Sequence, residues 1–143
     1  LGVVYHLAGQ PEAGAKVLEQ AALLEPGNAE HPYALALLYG EMGDLRKAIH
    51  QFERAVTARP DFARAWYNLG LARAQAGEVE GGIAALLEAE AVAPEVSDFP
   101  YARATLHHRL GQMEKAREAG RKALALSPDS VQLQQFVLQL ERP

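Results

Sequence analysis

A chain of 143 residues, 49% apolar and 22% charged, is long enough to bury a core and too apolar to stay disordered. Its net charge of −4 gives no general attraction to nucleic-acid phosphates or anionic lipid, and no apolar run reaches the roughly 18–20 residues that span a bilayer. With no cysteine, disulfides, thiolate metal sites and cysteine nucleophiles are excluded.

The chain opens Leu1-Gly2-Val3-Val4-Tyr5, without Met or the charged start of a signal peptide. One period then governs it. Pro26, Pro60, Pro94 and Pro128 are each 34 residues apart; so are Gly9, Gly43, Gly77 and Gly111, and so are Ala21, Ala55, Ala89 and Ala123. Three residue types in one register across four units establish a repeat. The glycines fall where a helix must end and the chain reverse, a position that favours left-handed backbone. The prolines close a second helix, because Pro cannot continue one. Asn28, Asp61 and Asp129 are expected to cap the helix that follows. The alanines lie midway along each second helix, where neighbouring helices must approach closely. Each unit therefore reads helix, tight turn, helix, short turn.

Unit 1–28 begins partway through its first helix, with Leu1-Gly2 and Tyr5, and runs on through Leu18, Ala21 and Pro26. Unit 29–62 carries Leu35, Ala36, Tyr39, Ala48, Phe52, Ala55 and Pro60. Unit 63–96 carries Trp66, Leu69, Gly70, Gly82, Leu86, Ala89 and Pro94. Unit 97–130 diverges: Arg103 and His107 replace core-type residues and Gly120 fills an aromatic slot, while Ala116, Ala123 and Pro128 keep register. Segment 131–143 sets Leu133, Phe136, Val137 and Leu140 on one helical face and Gln132, Gln135 and Gln139 on the other, the pattern of a capping helix. The truncated first unit and the lack of a matching N-terminal cap lead us to expect a segment of a longer protein.

These residues follow the pattern W-x2-L-G-x2-Y, then A-x3-F, then P, and the chain resembles the tetratricopeptide repeat family. The resemblance implies an all-α fold: one domain, a right-handed α-solenoid of tandem helix-turn-helix repeats. It also implies a non-catalytic scaffold that binds a protein or peptide in a concave groove. With Trp66 numbered fourth in its repeat, the family's groove is lined by positions 2, 5, 9 and 12 of each first helix. Position 5 holds Tyr33, Tyr67 and Tyr101; position 9 holds Val3, Leu37, Leu71 and Thr105. Arg64 and His108 share that face, and Asn68 beside it could hold a peptide backbone. Tyr and Leu together form an apolar stripe across repeats, a mark of an interface. Some family members clamp a C-terminal carboxylate. Here only Asn68 matches that set, with Tyr33, Leu37, Asp98 and Ala102 in the other places, so chaperone-tail recognition is not expected. The alternative is a structural role, in which the groove or the open N-terminal face packs against a second copy or another domain of the parent protein.

Charge is uneven. Six acids (Glu78, Glu80, Glu88, Glu90, Glu95, Asp98) stand without a base from 78 to 98, and six bases face only Glu114 and Glu118 from 103 to 122. A solvated surface is the default explanation, with pairing between adjacent repeats or a match to a dipolar partner the alternatives. Catalysis is not expected. His6, His31, His50, His107 and His108 lack the spacing that puts two ligands on one helix face, and Gly81-Gly82 lies inside a helix without a phosphate-loop Lys. Ser97, Ser127 and Ser130 fall in turns, as capping residues would. No metal, cofactor, nucleic acid or membrane is expected to bind, and the lack of a leader or membrane segment slightly favours the cytoplasm.

Overall fold

The computed structural model describes residues 10–142, so Gly9, Val3 and the other expectations placed on residues 1–9 lie outside the described residues. Eight helices and no strand occur among the described residues: α1 (Pro11–Leu24), α2 (Glu30–Glu41), α3 (Leu45–Ala58), α4 (Ala63–Gln75), α5 (Val79–Val92), α6 (Asp98–Arg109), α7 (Met113–Leu126) and α8 (Val131–Glu141). Each helix packs on the one before and the one after it, which makes the array an α-solenoid. The tightest pairs are α2 with α3, α4 with α5 and α6 with α7. Two first helices, α4 and α6, also meet directly.

The tight turns are built as the period requires. Gly43, Gly77 and Gly111 have φ of 83°, 93° and 75°, the left-handed region open to glycine. In each turn the residue after the glycine donates its N–H to a carbonyl one helical turn back: Asp44 to Tyr39 (2.9 Å), Glu78 to Arg73 (2.8 Å) and Gln112 to His107 (2.9 Å). The glycine itself donates to Gly40, Ala74 or His108. Two orphan carbonyls per helix are thereby satisfied within five residues. Helix starts differ from expectation. Asp61 and Asp129 do not cap; the cap positions are Phe62, with no side-chain bond, and Ser130, whose hydroxyl accepts from Leu133 N at 3.2 Å. Asn28 accepts from Glu30 N at 3.0 Å, one residue ahead of the cap position Ala29. Ser97 and Ser127 also do not cap; their hydroxyls bond each other across the repeat at 2.9 Å.

Ala55, Ala89 and Ala123 are fully buried, as close helix approach demands. A backbone-to-backbone approach joins α4 to α5. A Cβ on Gly82 would stand 2.6 Å from the Gly70 carbonyl oxygen, and one on Gly70 would stand 2.8 Å from that of Gly82. Backbone meets backbone there, so glycine is required on both sides. Leu133, Val137 and Leu140 of α8 are buried against α7, while Gln132, Gln135 and Gln139 face solvent.

The joints between repeats have two seats that recur every 34 residues. The inner seats hold Ala22 and Leu35, Val56 and Leu69, and Leu124 and Val137, all apolar and mostly buried. The outer seats hold polar pairs: Tyr39 donates to Glu19, Arg73 to Glu53 at 3.1 Å, and Arg121 to Glu141 at 2.7 Å. The joint of α5 with α6 reverses this order. Its inner seats are Glu90 and Arg103, which Lys122 of α7 joins. Arg103 Nε and Nη2 donate to the two Glu90 oxygens at 2.5 and 3.0 Å, and Lys122 Nζ donates at 2.9 Å. Glu90 is 5% exposed. Burial alone would raise its pKa, but the hydrogen bonds and charges of Arg103 and Lys122 outweigh burial and hold the carboxyl below its ordinary value. Its outer seats are Leu87 and His107, the latter buried and bonded through Nδ1 to Gln112 of its own turn at 2.7 Å.

Candidate functional site

The first helices α2, α4 and α6 carry every residue singled out for binding, and the 34-residue register brings them into rows. The tyrosine row is engaged in the joints between repeats. Tyr33 packs on Phe62 (4.6 Å between ring centroids) and Phe52 (5.9 Å), Tyr67 on Phe99 (5.2 Å), and Tyr101 on Phe136 (4.9 Å, edge-on). Two of the hydroxyls reach into the next repeat as well: Tyr33 accepts from Asn68 Nδ2 at 3.0 Å and Tyr101 from Gln132 Nε2 at 3.1 Å. Burial raises the pKa of Tyr33 and Tyr67, so both stay neutral and able to donate a hydrogen bond at neutral pH. A half-buried ring clamped on both sides stiffens the array and leaves an edge to solvent.

The leucine row differs. Leu37 is 42% exposed and Leu71 37% exposed, one repeat apart on the face that the tyrosines brace. An apolar side chain held half open by a rigid neighbour suits a contact surface. Arg64 lies over the Tyr67 ring, 5.2 Å from its centroid, with its charge exposed. Asn68 uses one amide N–H on Tyr33, which leaves its oxygen and second N–H to meet a ligand.

The row weakens in the last repeat. Thr105 turns its hydroxyl back onto the Ala102 carbonyl at 2.7 Å, within its own helix. His108 is exposed beside it, and the two border a shallow hollow of about 290 Å³ with Phe136 and Gln139. His107 and His108 diverge as neighbours on a helix must, one buried and one exposed. Among the described residues no group of three or more His, Asp or Glu is placed to hold a metal, and no helix is long and apolar enough to cross a membrane.

The family model for the tetratricopeptide repeat matches residues 33–93 and again 80–131. The chain belongs to the tetratricopeptide repeat family. It is 28% identical over 138 residues to Protein FlbA of Caulobacter vibrioides, which covers 95% of the chain and 23% of that protein. It is 29% identical over 101 residues to Tetratricopeptide repeat protein 8 of Homo sapiens, covering 71% of the chain and 19% of that protein. The chain thus spans about a quarter or less of the curated relatives it matches. Among solved structures, MamA superposes with a TM-score of 0.90 at 24% identity, over 98% of this chain and 82% of that one. YrrB, described as a tetratricopeptide protein with an unusual peptide-binding site, superposes with a TM-score of 0.82 at 20% identity, over 96% and 71%. At these identities the likeness to solved structures is one of fold.

The site residues that sequence reasoning missed are the rings behind the tyrosines. Phe62, Phe99 and Phe136 stand at different separations from Tyr33, Tyr67 and Tyr101, so no period marks them.

Proposed function

We propose that the chain is a non-catalytic interaction module that binds an extended segment or helix of a partner protein along the face of its first helices. The observation that carries this reading is the pair Leu37 and Leu71, exposed in repeat register on a face otherwise fixed by inter-repeat bonds. The tyrosines supply rigid walls, the leucines the apolar contact, and Arg64 and Asn68 polar groups at the edge. YrrB, similar in fold, is described as binding a peptide, which agrees with this use. The test is recovery of partners by wild type against Leu37→Asp/Leu71→Asp, with thermal melting to show that both fold. Equal recovery would remove this face from the account.

A second reading is assembly, with a further copy or another domain of the parent protein covering the array. The half-open Leu37 and Leu71 favour it, since an exposed apolar pair in repeat register suits a second copy as well as a peptide. Light scattering separates the two readings: a monomer at all concentrations excludes self-assembly, and a dimer that Leu37→Asp or Leu71→Asp dissolves supports it.

A further inference from the structure

The second helices form a surface remote from the first-helix face, and one of them breaks its pattern. Helices α3 and α7 are sharply amphipathic; α5 is richer in apolar residues and has no sharp polar face. At equivalent positions α3 presents Arg46, His50, Glu53, Arg54 and Thr57, and α7 presents Glu114, Glu118, Arg121, Lys122 and Ala125. Helix α5 presents Glu80, Ala84, Leu87, Glu88 and Ala91, all exposed. At about 100° per residue, Glu80, Ala84 and Ala91 lie within about 60° of Leu87 and Glu88 about 100° away. Leu87 is 49% exposed, in the outer seat that Glu19, Glu53 and Arg121 use to bond the next repeat.

The reversed joint explains how Leu87 can be there. Glu90, Arg103 and Lys122 tie α5 to α6 and α7 from the inner seat, so the outer seat carries no bond between repeats. Charge makes the second observation. Glu19, Glu30, Glu53, Asp44, Glu114 and Glu141 have partners in the array, while among the described residues Glu12, Asp61, Glu118 and Asp129 make no ion pair but are scattered over it rather than clustered. Among the described residues Glu78, Glu80, Glu88 and Glu95, around α5, make no ion pair, and no Lys or Arg stands between Glu78 and Asp98.

We propose that the outward face of α5 is a second docking surface, and that its occupant is an amphipathic helix of a partner protein whose apolar stripe is flanked by Lys or Arg. Leu87 with Ala84 and Ala91 takes the stripe; the small alanines let the two helices come close. Glu88 beside the stripe and Glu80 at its N-terminal end meet the partner's bases, and the array itself supplies neither with an ion-pair partner among the described residues. An acidic, polar or extended partner would leave these carboxylates facing like charge or the leucine facing water.

The probe is a labelled model peptide of Leu and Lys at helical spacing, titrated by fluorescence anisotropy. Its controls are the same peptide with Glu for Lys and a shuffled Leu/Lys peptide with no apolar stripe. The wild-type chain should bind the Leu/Lys helix and weaken as salt rises, with both controls weaker by at least about tenfold. Leu87→Glu, which copies Glu53 at the equivalent seat, should weaken binding by about tenfold or more. Glu80→Gln/Glu88→Gln should weaken it and flatten its salt dependence. Leu71→Asp, on the first-helix face, should leave it unchanged. Equal binding by Leu87→Glu, equal binding of the Glu peptide, loss on Leu71→Asp alone, or no binding up to about 1 mM peptide would each overturn the proposal. The groove reading stands or falls separately on Leu37 and Leu71.

Discussion

The joint between α3 and α4 and the joint between α5 and α6 do the same mechanical task with opposite chemistry. In the first, Val56 and Leu69 are buried in the inner seats and Glu53 bonds Arg73 at the rim. In the second, Glu90 and Arg103 are inside and Leu87 is at the rim. A solenoid tolerates the exchange because each repeat touches only its neighbours, so one joint can be rewritten without altering the rest. The apolar joint needs no hydrogen-bond geometry. The ionic joint holds only while all its charges are matched, and it releases the rim residue for another use.

Breaking the ionic joint from one side should have the largest effect. Arg103→Met leaves Glu90 buried beside Lys122 alone and should cost about 3–5 kcal/mol in urea denaturation. Converting the joint to its neighbour's chemistry, Glu90→Val/Arg103→Leu, should leave stability unchanged or raise it by about 1–4 kcal/mol. If the double variant is as unstable as the single one, the two joints are not interchangeable and the comparison fails.

The contact inside the third repeat comes next. Gly82→Ala drives a Cβ against a backbone oxygen and should cost about 1–3 kcal/mol. Gly120→Ala has one tight contact, the flexible end of Leu140 at 3.1 Å, and gains helix propensity, so it should fall within about 1 kcal/mol of wild type. Thermal melts of the pair would show whether close backbone approach, rather than glycine as such, is what the third repeat requires.

Acid sharpens the contrast more gently. The folded pKa of Glu90 lies below its unfolded value, so the stability it contributes is complete above the ordinary value of 4.5 and is lost as pH falls through the depressed one. Denaturation midpoints of wild type should therefore fall faster in acid than those of Glu90→Val/Arg103→Leu. The smallest effect belongs to the rim: Leu87→Glu should change stability by no more than about 0.5 kcal/mol, because the outer seat there makes no hydrogen bond or ion pair between repeats.

Much of this was legible in the sequence, and the rest was hidden for physical reasons. The 34-residue spacing of Gly43, Gly77 and Gly111 announced left-handed turns because only backbone conformation was at stake, a local property. Helix caps were misplaced by one residue at Asp61 and Asp129, since capping depends on where the preceding turn delivers the chain. The tyrosine row was found, but not that its rings close the joints, because the phenylalanines they meet keep no common spacing. Arg103 was visible as a departure from the pattern. Its pairing with Glu90 was not, because two residues that are each wrong for a core become right only when the joint brings them together.

The claim most central to function is that partners lie along the first helices. Hydrogen exchange of the array, alone and saturated with a partner that wild type retains and Leu37→Asp/Leu71→Asp loses, measures it directly. Added protection is expected in α2 and α4 around Tyr33 to Leu37 and Tyr67 to Leu71, with α3 and α7 unchanged. Protection confined to α3, α7 or α8, with α2 and α4 exchanging as in the free protein, would contradict it.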